Sequence, residues 1–292
     1  MVKIYVANGL GIGCHAEVAH AYEKAGGNVE IVHFRQLLNG EKDLFESQVL
    51  NLSGGFLHAD LMSAGMCGAN EIEHASFKYK GQMRRFKELL IEYAQKGNVI
   101  YGQCNGFQLL VKTGLLPGIN GDYSRQTVTL TTNDCGNYWE APVMHDIERK
   151  HFAFEDVDSP LYIMCRHGEG KLLFYSDFGL ISKADGEKNR AIVNKKHVLL
   201  KYVDPTNINP TQKFPHNPNG SMDAIAGLID ETGNIIGHMA HPEVGIYCSR
   251  DSGFFLWKDK LKRSGIKAED LDAEILEDTC LKIFRNIVNH FR

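Results

Sequence analysis

The sequence lacks any pattern of paired cysteines, and its cysteine usage points to a reducing compartment. Seven cysteines are spread over 292 residues, and no C-x-x-C pair occurs among them. An odd number of widely spaced cysteines does not suit a disulfide framework. The N-terminal stretch MVKIYVANGLG also has no long apolar segment of the kind that a signal peptide needs. We therefore expect free thiols and a cytoplasmic location.

Long apolar runs, basic clusters and phosphate-binding loops are absent as well. No stretch approaches the roughly 20 apolar residues that a membrane span needs. Acidic and basic residues are interspersed and sum to a net charge of −4, which argues against nucleic acid as a partner. The ATP-binding pattern G-x-x-x-x-G-K-[ST] does not occur. With 43% hydrophobic residues, the chain can bury a sizeable core.

Strand and helix patterns alternate in the first hundred residues. KIYVA, NVEIVHF, SQVLNLSGG and NVIYGQC have the pattern of strands, while AEVAHAYEKAGG and MRRFKELLIEYAQKG have the pattern of helices that end at glycine. This alternation predicts an α/β fold with a mostly parallel central sheet flanked by helices. From about 127 to 202, short apolar runs between turns predict added antiparallel strands.

The whole chain, residues 1–292, is predicted to form a single domain with a C-terminal helical extension at about 250–292. Spacing in the tail places four apolar residues on one helix face: Leu276, Cys280, Ile283 and Ile287.

The glycine-rich turn after the first strand, NGLGIGCHAE, is close to a dinucleotide-binding fingerprint. That fingerprint needs G-x-G-x-x-G/A and an acidic residue about 20 positions further on, which binds the ribose. A frame that starts at Gly11 places the tolerated Ala16 third, but the second strand ends in His33 and Phe34 rather than in an acid. The sequence therefore favours a flexible strand-to-helix turn, and Cys14 is interpreted as a structural thiol.

The segment GQCNG places Cys104 between two glycines where a strand turns into a helix. This is the spacing of a nucleophile elbow, in which glycines leave room for a tight turn and the nucleophile projects at the top of the sheet. The positive N-terminal end of the helix favours the Cys104 thiolate, and the Asn105 amide can donate to an oxyanion. The alternative is a small buried cysteine at a tight turn.

The segment HPE, near the end of the sequence, offers a base and a group that orients it. His241 and Glu243 stand two residues apart, so on an extended chain both side chains face the same side. Pro242 has no N–H and places this segment at a strand end or edge. The alternative is a surface turn with a solvated glutamate. His238 completes an H-x-x-H pattern, but nothing else supports a metal, and we predict none.

Taken together, these motifs resemble those of the class I (triad) glutamine amidotransferases, a family with a flavodoxin-like fold. The resemblance implies that Cys104 is the nucleophile, His241 the base and Glu243 the orienting group. The segment LSGGF resembles the glycine turn of that family, whose amides contribute to the oxyanion hole. Further residues are implied at the oxyanion hole and the substrate: Gly55, Phe56, Asn105 and Gln108.

A closer resemblance is to the glutaminase part of phosphoribosylformylglycinamidine synthase. It rests on four segments in order: SGGFLHADLMSAGM, GLLPG, RHGEGK and NPNGSMDAIAGLIDETGNIIGHMAHPE. The chain departs from the family pattern at Ser53, at Ala240 and Val244 around the triad, and in residues 133–143, where the usual arginines are missing. These departures concern docking and the ammonia acceptor rather than the thiol chemistry.

This resemblance implies a glutaminase that hydrolyses glutamine to glutamate and ammonia through a cysteine thioester. The ammonia would pass to a separate synthetase subunit for purine biosynthesis. No cofactor is expected in this chain, while ATP and magnesium are expected on the synthetase. Two alternatives stay open: an amidotransferase or cysteine hydrolase of the same fold that serves another acceptor, and a non-catalytic regulatory subunit.

Overall fold

The computed structural model describes residues 1–175, 181–247, 254–267 and 279–292. The strands in these ranges are β1 (Lys3–Asn8), β2 (Asn28–His33), β3 (Val49–Leu52), β4 (Ser76–Tyr79), β5 (Gln82–Arg85), β6 (Val99–Gln103), β7 (Thr129–Thr132), β8 (Trp139–Ile147), β9 (Leu161–His167), β10 (Glu169–Leu173), β11 (Val198–Tyr202), β12 (Ile225–Ile229), β13 (Ile235–His238) and β14 (Ala240–His241). The α-helices are α1 (His15–Lys24), α2 (Phe34–Leu38), α3 (Met66–His74), α4 (Phe86–Gln95), α5 (Asn105–Lys112), α6 (Lys183–Lys196), α7 (Phe254–Arg263) and α8 (Thr279–Asn289).

Ten of these strands form one sheet in the order β14-β9-β8-β11-β12-β13-β6-β3-β1-β2. The half made of β2, β1, β3, β6 and β13 is parallel throughout. Taken in chain order, these five strands follow the 2-1-3-4-5 arrangement of flavodoxin-like folds, as expected. In such a sheet the carboxyl ends of the strands meet at one edge, where ligands bind.

The other half of the sheet is antiparallel and confirms the strands expected between about 127 and 202. β8, β9 and β11 lie in this half beside β12 and β14, while β7 and β10 pair separately. The same stretch also contains α6, which the sequence pattern did not reveal. Only Gly186 and Val193 of this helix are buried, so it has no apolar stripe to detect.

Two further elements differ from expectation. No element is predicted between the third strand and the helix MRRFKELLIEYAQKG, but α3 lies there. The first three residues of that predicted helix, 83–85, belong to β5 of the β4–β5 hairpin. The helix itself begins only at Phe86. Both elements are short and partly exposed, which weakens the periodic signal that identifies a helix or a strand.

Helix α8 covers one face of the sheet. Cys280, Ile283 and Ile287 are buried on its inner side, as the spacing of the tail predicted. Leu276 lies outside the described residues. The Phe284 ring meets the Tyr22 ring edge-on, with centroids 4.9 Å apart, which joins α8 to α1. The described helices include none that is long and apolar enough to cross a membrane.

Candidate active site

The turn from β6 into α5 has the strained geometry of a nucleophile elbow. Cys104 precedes the helix with φ 51° and ψ −108°, a region that residues with side chains seldom occupy. A Cβ atom on Gly106 would lie 2.0 Å from the Leu52 carbonyl oxygen at the end of β3. One on Gly102 would lie 2.8 Å from the Gly106 backbone. The prediction that both glycines make room for this turn is therefore confirmed.

His241 and Glu243 form a tight pair at the last strand of the sheet. His241 ends β14, and a short 3-10 helix over Pro242–Gly245 brings the carboxylate back to the ring. Nδ1 of His241 lies 2.6 Å from Oε1 of Glu243, and both side chains are almost completely buried. Nε2 of His241 has no hydrogen-bond partner in the described residues. It is therefore free to exchange a proton with a group in the pocket.

The charge on His241 is set by the groups around it. Burial lowers the pKa of this imidazole, but the Glu243 carboxylate and the Cys104 side chain outweigh burial and hold the pKa well above its usual value. His238, three residues earlier, behaves in the opposite way. Burial lowers its pKa to about 3, and its Nε2 lies 2.6 Å from the Tyr101 hydroxyl in the core. Of these two rings, His241 is thus the imidazolium near neutral pH.

The glycine turn after β3 lies against the turn after β1. Gly55 adopts φ 144°, and a Cβ there would lie 2.6 Å from the Gly11 carbonyl oxygen. The Phe56 amide donates to that same oxygen at 2.7 Å. The Phe56 amide therefore already has a hydrogen-bond partner within the fold. Of the backbone amides of Gly55 and Phe56, only that of Gly55 remains a candidate oxyanion donor.

Asn105 ties the elbow to the glycine turn through its side chain. Oδ1 accepts from the Leu57 amide at 3.2 Å, and Nδ2 donates to Asp60 Oδ1 at 3.1 Å and to Gln108 Oε1 at 2.9 Å. Gln108 in turn donates to the backbone carbonyl oxygen of Glu169. Gln108 is 3% exposed, so in this arrangement it supports the wall of the site rather than facing solvent.

Asp60 is an acid in an unfavourable position. Burial, and next the nearby Glu169 carboxylate, raise its pKa to about 6, although the Asn105 bond opposes the shift. Its backbone has φ 52°, and the preceding His58 and Ala59 both have φ 56°. Asp60 thus combines a strained backbone with a carboxyl group of raised pKa, and it is hydrogen-bonded to the side chain of Asn105, whose backbone amide is an expected oxyanion donor.

A pocket of about 260 Å³ opens above the cysteine and reaches the histidine. Its lining includes Gly55, Phe56, Cys104, His241, Cys14 and Arg166. A larger cavity of about 610 Å³ lies beside α6, but neither cysteine nor histidine lines it. The chemistry therefore belongs to the smaller pocket.

Cys14 and Arg166 are among the pocket residues that the sequence did not identify as site residues. Cys14, interpreted above as a structural thiol, has its Sγ 3.8 Å from His241 Nδ1. The Arg166 guanidinium lies 3.4 Å from that Sγ and 4.0 Å from Glu243 Oε1. The available signal was topological: Cys14 follows β1, whose carboxyl end lies at the same sheet edge as that of β6.

Comparison with known proteins independently indicates a glutamine amidotransferase. The model of the CobB/CobQ-like glutamine amidotransferase domain matches residues 1–290. A phosphoribosylformylglycinamidine synthase subunit PurQ from Methanococcus maripaludis is 32% identical over 291 residues, covering 99% of this chain and 97% of the relative. The same subunit from Dehalococcoides mccartyi is 34% identical over 245 residues, covering 83% and 85%.

Solved structures support the fold. A chain of the PurLQS structure from Thermotoga maritima superposes with a TM-score of 0.64 at 21% identity, covering 100% of this chain and 99% of that one. The glutaminase domain of CTPS from Trypanosoma brucei gives a TM-score of 0.51 at 13% identity, covering 99% and 94%.

Proposed function

Because the chain belongs to the CobB/CobQ-like glutamine amidotransferase family and is similar to PurQ subunits over nearly its full length, we propose that Cys104, His241 and Glu243 carry out the glutaminase reaction of this chain. The chain functions as the glutaminase component of phosphoribosylformylglycinamidine synthase in purine biosynthesis. The residue roles below are part of this proposal, and the geometry of the site supports them.

The first half-reaction forms a thioester. The Cys104 thiolate attacks the side-chain amide carbon of glutamine, and the backbone N–H groups of Gly55 and Asn105 stabilise the resulting oxyanion. His241, held as an imidazolium, gives its proton to the departing amide nitrogen, which leaves as ammonia. The γ-glutamyl group is then bound to sulfur and the imidazole is neutral.

The second half-reaction uses the same groups in reverse. The neutral imidazole takes a proton from water, which attacks the thioester carbon. Collapse of the tetrahedral intermediate releases glutamate and regenerates the thiolate beside the imidazolium. Glu243, 2.6 Å from Nδ1, keeps the ring oriented and stabilises its positive charge without taking the proton.

The observation that carries this proposal is the meeting of two distant segments at one pocket. A strained cysteine follows β6, a partly exposed pocket opens above it, and an imidazole held by a carboxylate reaches that pocket from β14. A structural cysteine would need neither the strained backbone nor the histidine pair.

Covalent labelling tests the nucleophile directly. The full chain is incubated with a diazo analogue of glutamine, and the modified peptide is identified by mass spectrometry. We expect one adduct, on Cys104, and none in Cys104→Ser. Cys165→Ser is the control, since Cys165 is also a buried thiol and its Sγ lies 3.8 Å from a nitrogen of another histidine, His145. Labelling of Cys104→Ser at another residue, or no labelling with the synthetase present, would refute the assignment.

The ammonia is proposed to pass to a separate synthetase subunit. The Thermotoga maritima chain that this fold resembles belongs to a structure named PurLQS, which supports a synthetase of the PurL kind. ATP and Mg²⁺ are proposed to act there, because the half-reactions above need neither. A cytoplasmic location is proposed with them, since six cysteines of the described residues are free thiols.

An exposed apolar surface beside the pocket fits such a partner. Leu10, Leu61 and Met62 are 74%, 67% and 78% exposed, and the His58 amide joins the two loops that carry them by donating to the Leu10 carbonyl oxygen. Phe56, 49% exposed, continues this surface to the pocket wall. Apolar patches of this kind mark protein interfaces.

A charged substitution tests this surface. We expect Leu61→Asp combined with Met62→Asp to weaken binding to the synthetase from the same organism at least about tenfold, since two buried apolar contacts are lost. Affinity is measured by titration calorimetry. Met83→Asp is the control, because Met83 is 67% exposed on the β4–β5 hairpin. Equal affinities for the double variant and the parent would place the interface elsewhere.

A further inference from the structure

Cys14, His241 and Glu243 form a compact group of side chains of metal-binding types at the wall of the pocket, which Cys14 and His241 line. One ligand atom from each lies within 4.8 Å of the others, and all three residues are buried. Cys104 is not a member of this group. The cluster therefore differs from the nucleophile–base pair that the reaction uses.

We propose that these three residues form an inhibitory binding site for a thiophilic divalent cation of the Zn²⁺ class. Thiolate, imidazole and carboxylate are the three ligand types that zinc takes in proteins. Binding itself does not depend on the proposed function, whereas the resulting inhibition rests on His241 as the base.

The distances suit such an ion. Tetrahedral zinc with sulfur at about 2.3 Å and nitrogen at about 2.0 Å separates those two atoms by about 3.5 Å. The Cys14 Sγ to His241 Nδ1 distance is 3.8 Å, so little movement is needed. Because Cys14 and His241 line the pocket, water from the pocket can supply a fourth ligand.

An unpartnered carboxylate oxygen supports the same site. Glu243 Oε2 is buried and has no hydrogen-bond partner in the described residues, although Oε1 is engaged with His241. A buried acceptor left unpaired is costly, and a cation would satisfy it.

Occupation of the site would disable the base. Two oxygen and nitrogen ligands of one tetrahedral zinc ion lie about 3.3 Å apart. His241 Nδ1 and Glu243 Oε1 lie 2.6 Å apart, so the pair must separate and its hydrogen bond must break. The ion forms bonds to sulfur, nitrogen and oxygen, and the protons on Sγ and Nδ1 pass to solvent. The ring then loses both its orienting carboxylate and its imidazolium charge.

Arg166 already places a positive charge beside these ligands and competes with the ion. Its guanidinium lies 3.4 Å from Cys14 Sγ, and its side chain is 24% exposed and lines the pocket. It can therefore move outward when a metal enters. Removal of this charge should strengthen metal binding, while removal of the Cys14 thiol should weaken it.

Zinc binding is measured on Cys104→Ser, which leaves the three ligands in place and removes turnover from the readout. The metal-stripped full chain, kept reduced, is titrated with ZnCl₂ by calorimetry and with CoCl₂ by the thiolate-to-cobalt absorption band. We expect one ion per chain and a cobalt–sulfur band. Addition of Cys14→Ser should abolish the band and weaken zinc binding at least tenfold, whereas Arg166→Met should strengthen it severalfold.

Cys67→Ser, which removes a half-buried thiol on α3, is the matched control and should bind zinc like its parent. Thermal melting without metal shows whether each variant folds. If Cys14→Ser does not fold, the opposite sign expected for Arg166→Met still tests the site. Unchanged binding in Cys14→Ser, weaker binding in Arg166→Met, or zinc binding only when Cys104 is present would each overturn the proposal. None of these outcomes affects the labelling test of Cys104.

Discussion

Individual side chains in the pocket are defined by neighbours that lie far away in sequence. The Glu243 carboxylate sets the charge on His241, and the Asn105 amide group positions Asp60. Each contact affects a property that can be measured as a function of pH.

Substitution of Glu243 by Gln should remove the main group that raises the pKa of His241. The pKa of the ring then falls, so it loses its proton at a lower pH than in the parent, and kcat should drop about 10²-fold or more. The pKa is measured by NMR of the histidine rings in Cys104→Ser with and without the substitution. His238 is the internal control, because burial keeps it neutral throughout. An unchanged His241 titration would show that Glu243 does not set this charge.

Asp60→Asn should stabilise the protein, and more at pH 7 than at pH 4. The pKa of Asp60 is about 6 in the fold against 3.8 for an ordinary aspartate, so the folded state binds a proton that the unfolded chain has already lost. Stability therefore falls as pH rises through the window from about 4 to 6. Asparagine removes that penalty and also tolerates φ 52°.

Thermal melts of Asp60→Asn and the parent at both pH values measure this difference. A gain of equal size at pH 4 and pH 7 would assign it to backbone conformation alone and contradict the titration.

At the scale of elements, the conformation of the β6–α5 turn depends on the close approach of Gly106 to the backbone of β3. Gly106→Ala places a methyl group 2.0 Å from a backbone oxygen of β3, which cannot retreat without breaking the sheet. Alanine normally stabilises a helix by about 1 kcal/mol over glycine. Here we expect the opposite sign, a loss of about 1–3 kcal/mol or more in the free energy of unfolding.

Urea unfolding measures this loss, and Gly168→Ala is the matched control. Gly168 has no atom within 4 Å of the added Cβ, so its stability should change little. Similar values for the two variants would show that the elbow is not constrained by contact with β3.

The sequence predicted the elements whose signal is local and missed those whose signal is weak. β1, β3 and β6 are rich in buried apolar residues, α4 has a clear apolar face, and a glycine follows closely after α4. α6 has a polar surface nearly all round, and its position depends on packing against other parts of the chain. Propensity alone cannot identify an element of that kind.

At the scale of the whole molecule, α8 returns the end of the chain to the layer beside β1 and β6. Phe284 is fully buried between the Tyr22 and Tyr101 rings. Phe284→Ala should reduce the free energy of unfolding by about 3–5 kcal/mol, because it leaves a cavity in a closed layer. Equilibrium urea unfolding measures the loss.

Lys282→Ala, on the exposed side of the same helix, is the control for Phe284→Ala. Its ion pair with Asp158 is 3.3 Å long and solvated, so we expect a change within about 0.5 kcal/mol. A loss for Phe284→Ala as small as that for the control would show that α8 contributes little to the fold.

The sequence allowed site residues to be proposed only where they stand in short motifs. Cys104, His241 and Glu243 lie in motifs of five and three residues whose chemistry is visible in the sequence. Cys14 and Arg166 stand in NGLGIGCHAE and RHGEGK, whose patterns predict no catalytic role for either residue, and only the sheet order brings them to His241. Contacts of this kind depend on tertiary structure and leave no periodic trace.

The position of β13 between β6 and β12 has a consequence for how the enzyme is made in the cell. Until residues 235–238 have emerged from the ribosome, the nucleophile strand lacks one of its two neighbours and exposes an apolar edge. His241, the proposed base, follows only three residues later in translation. A nascent chain therefore cannot release ammonia before the central strands of its sheet can pair. The exposed edge of β6 most needs protection by chaperones just before that point.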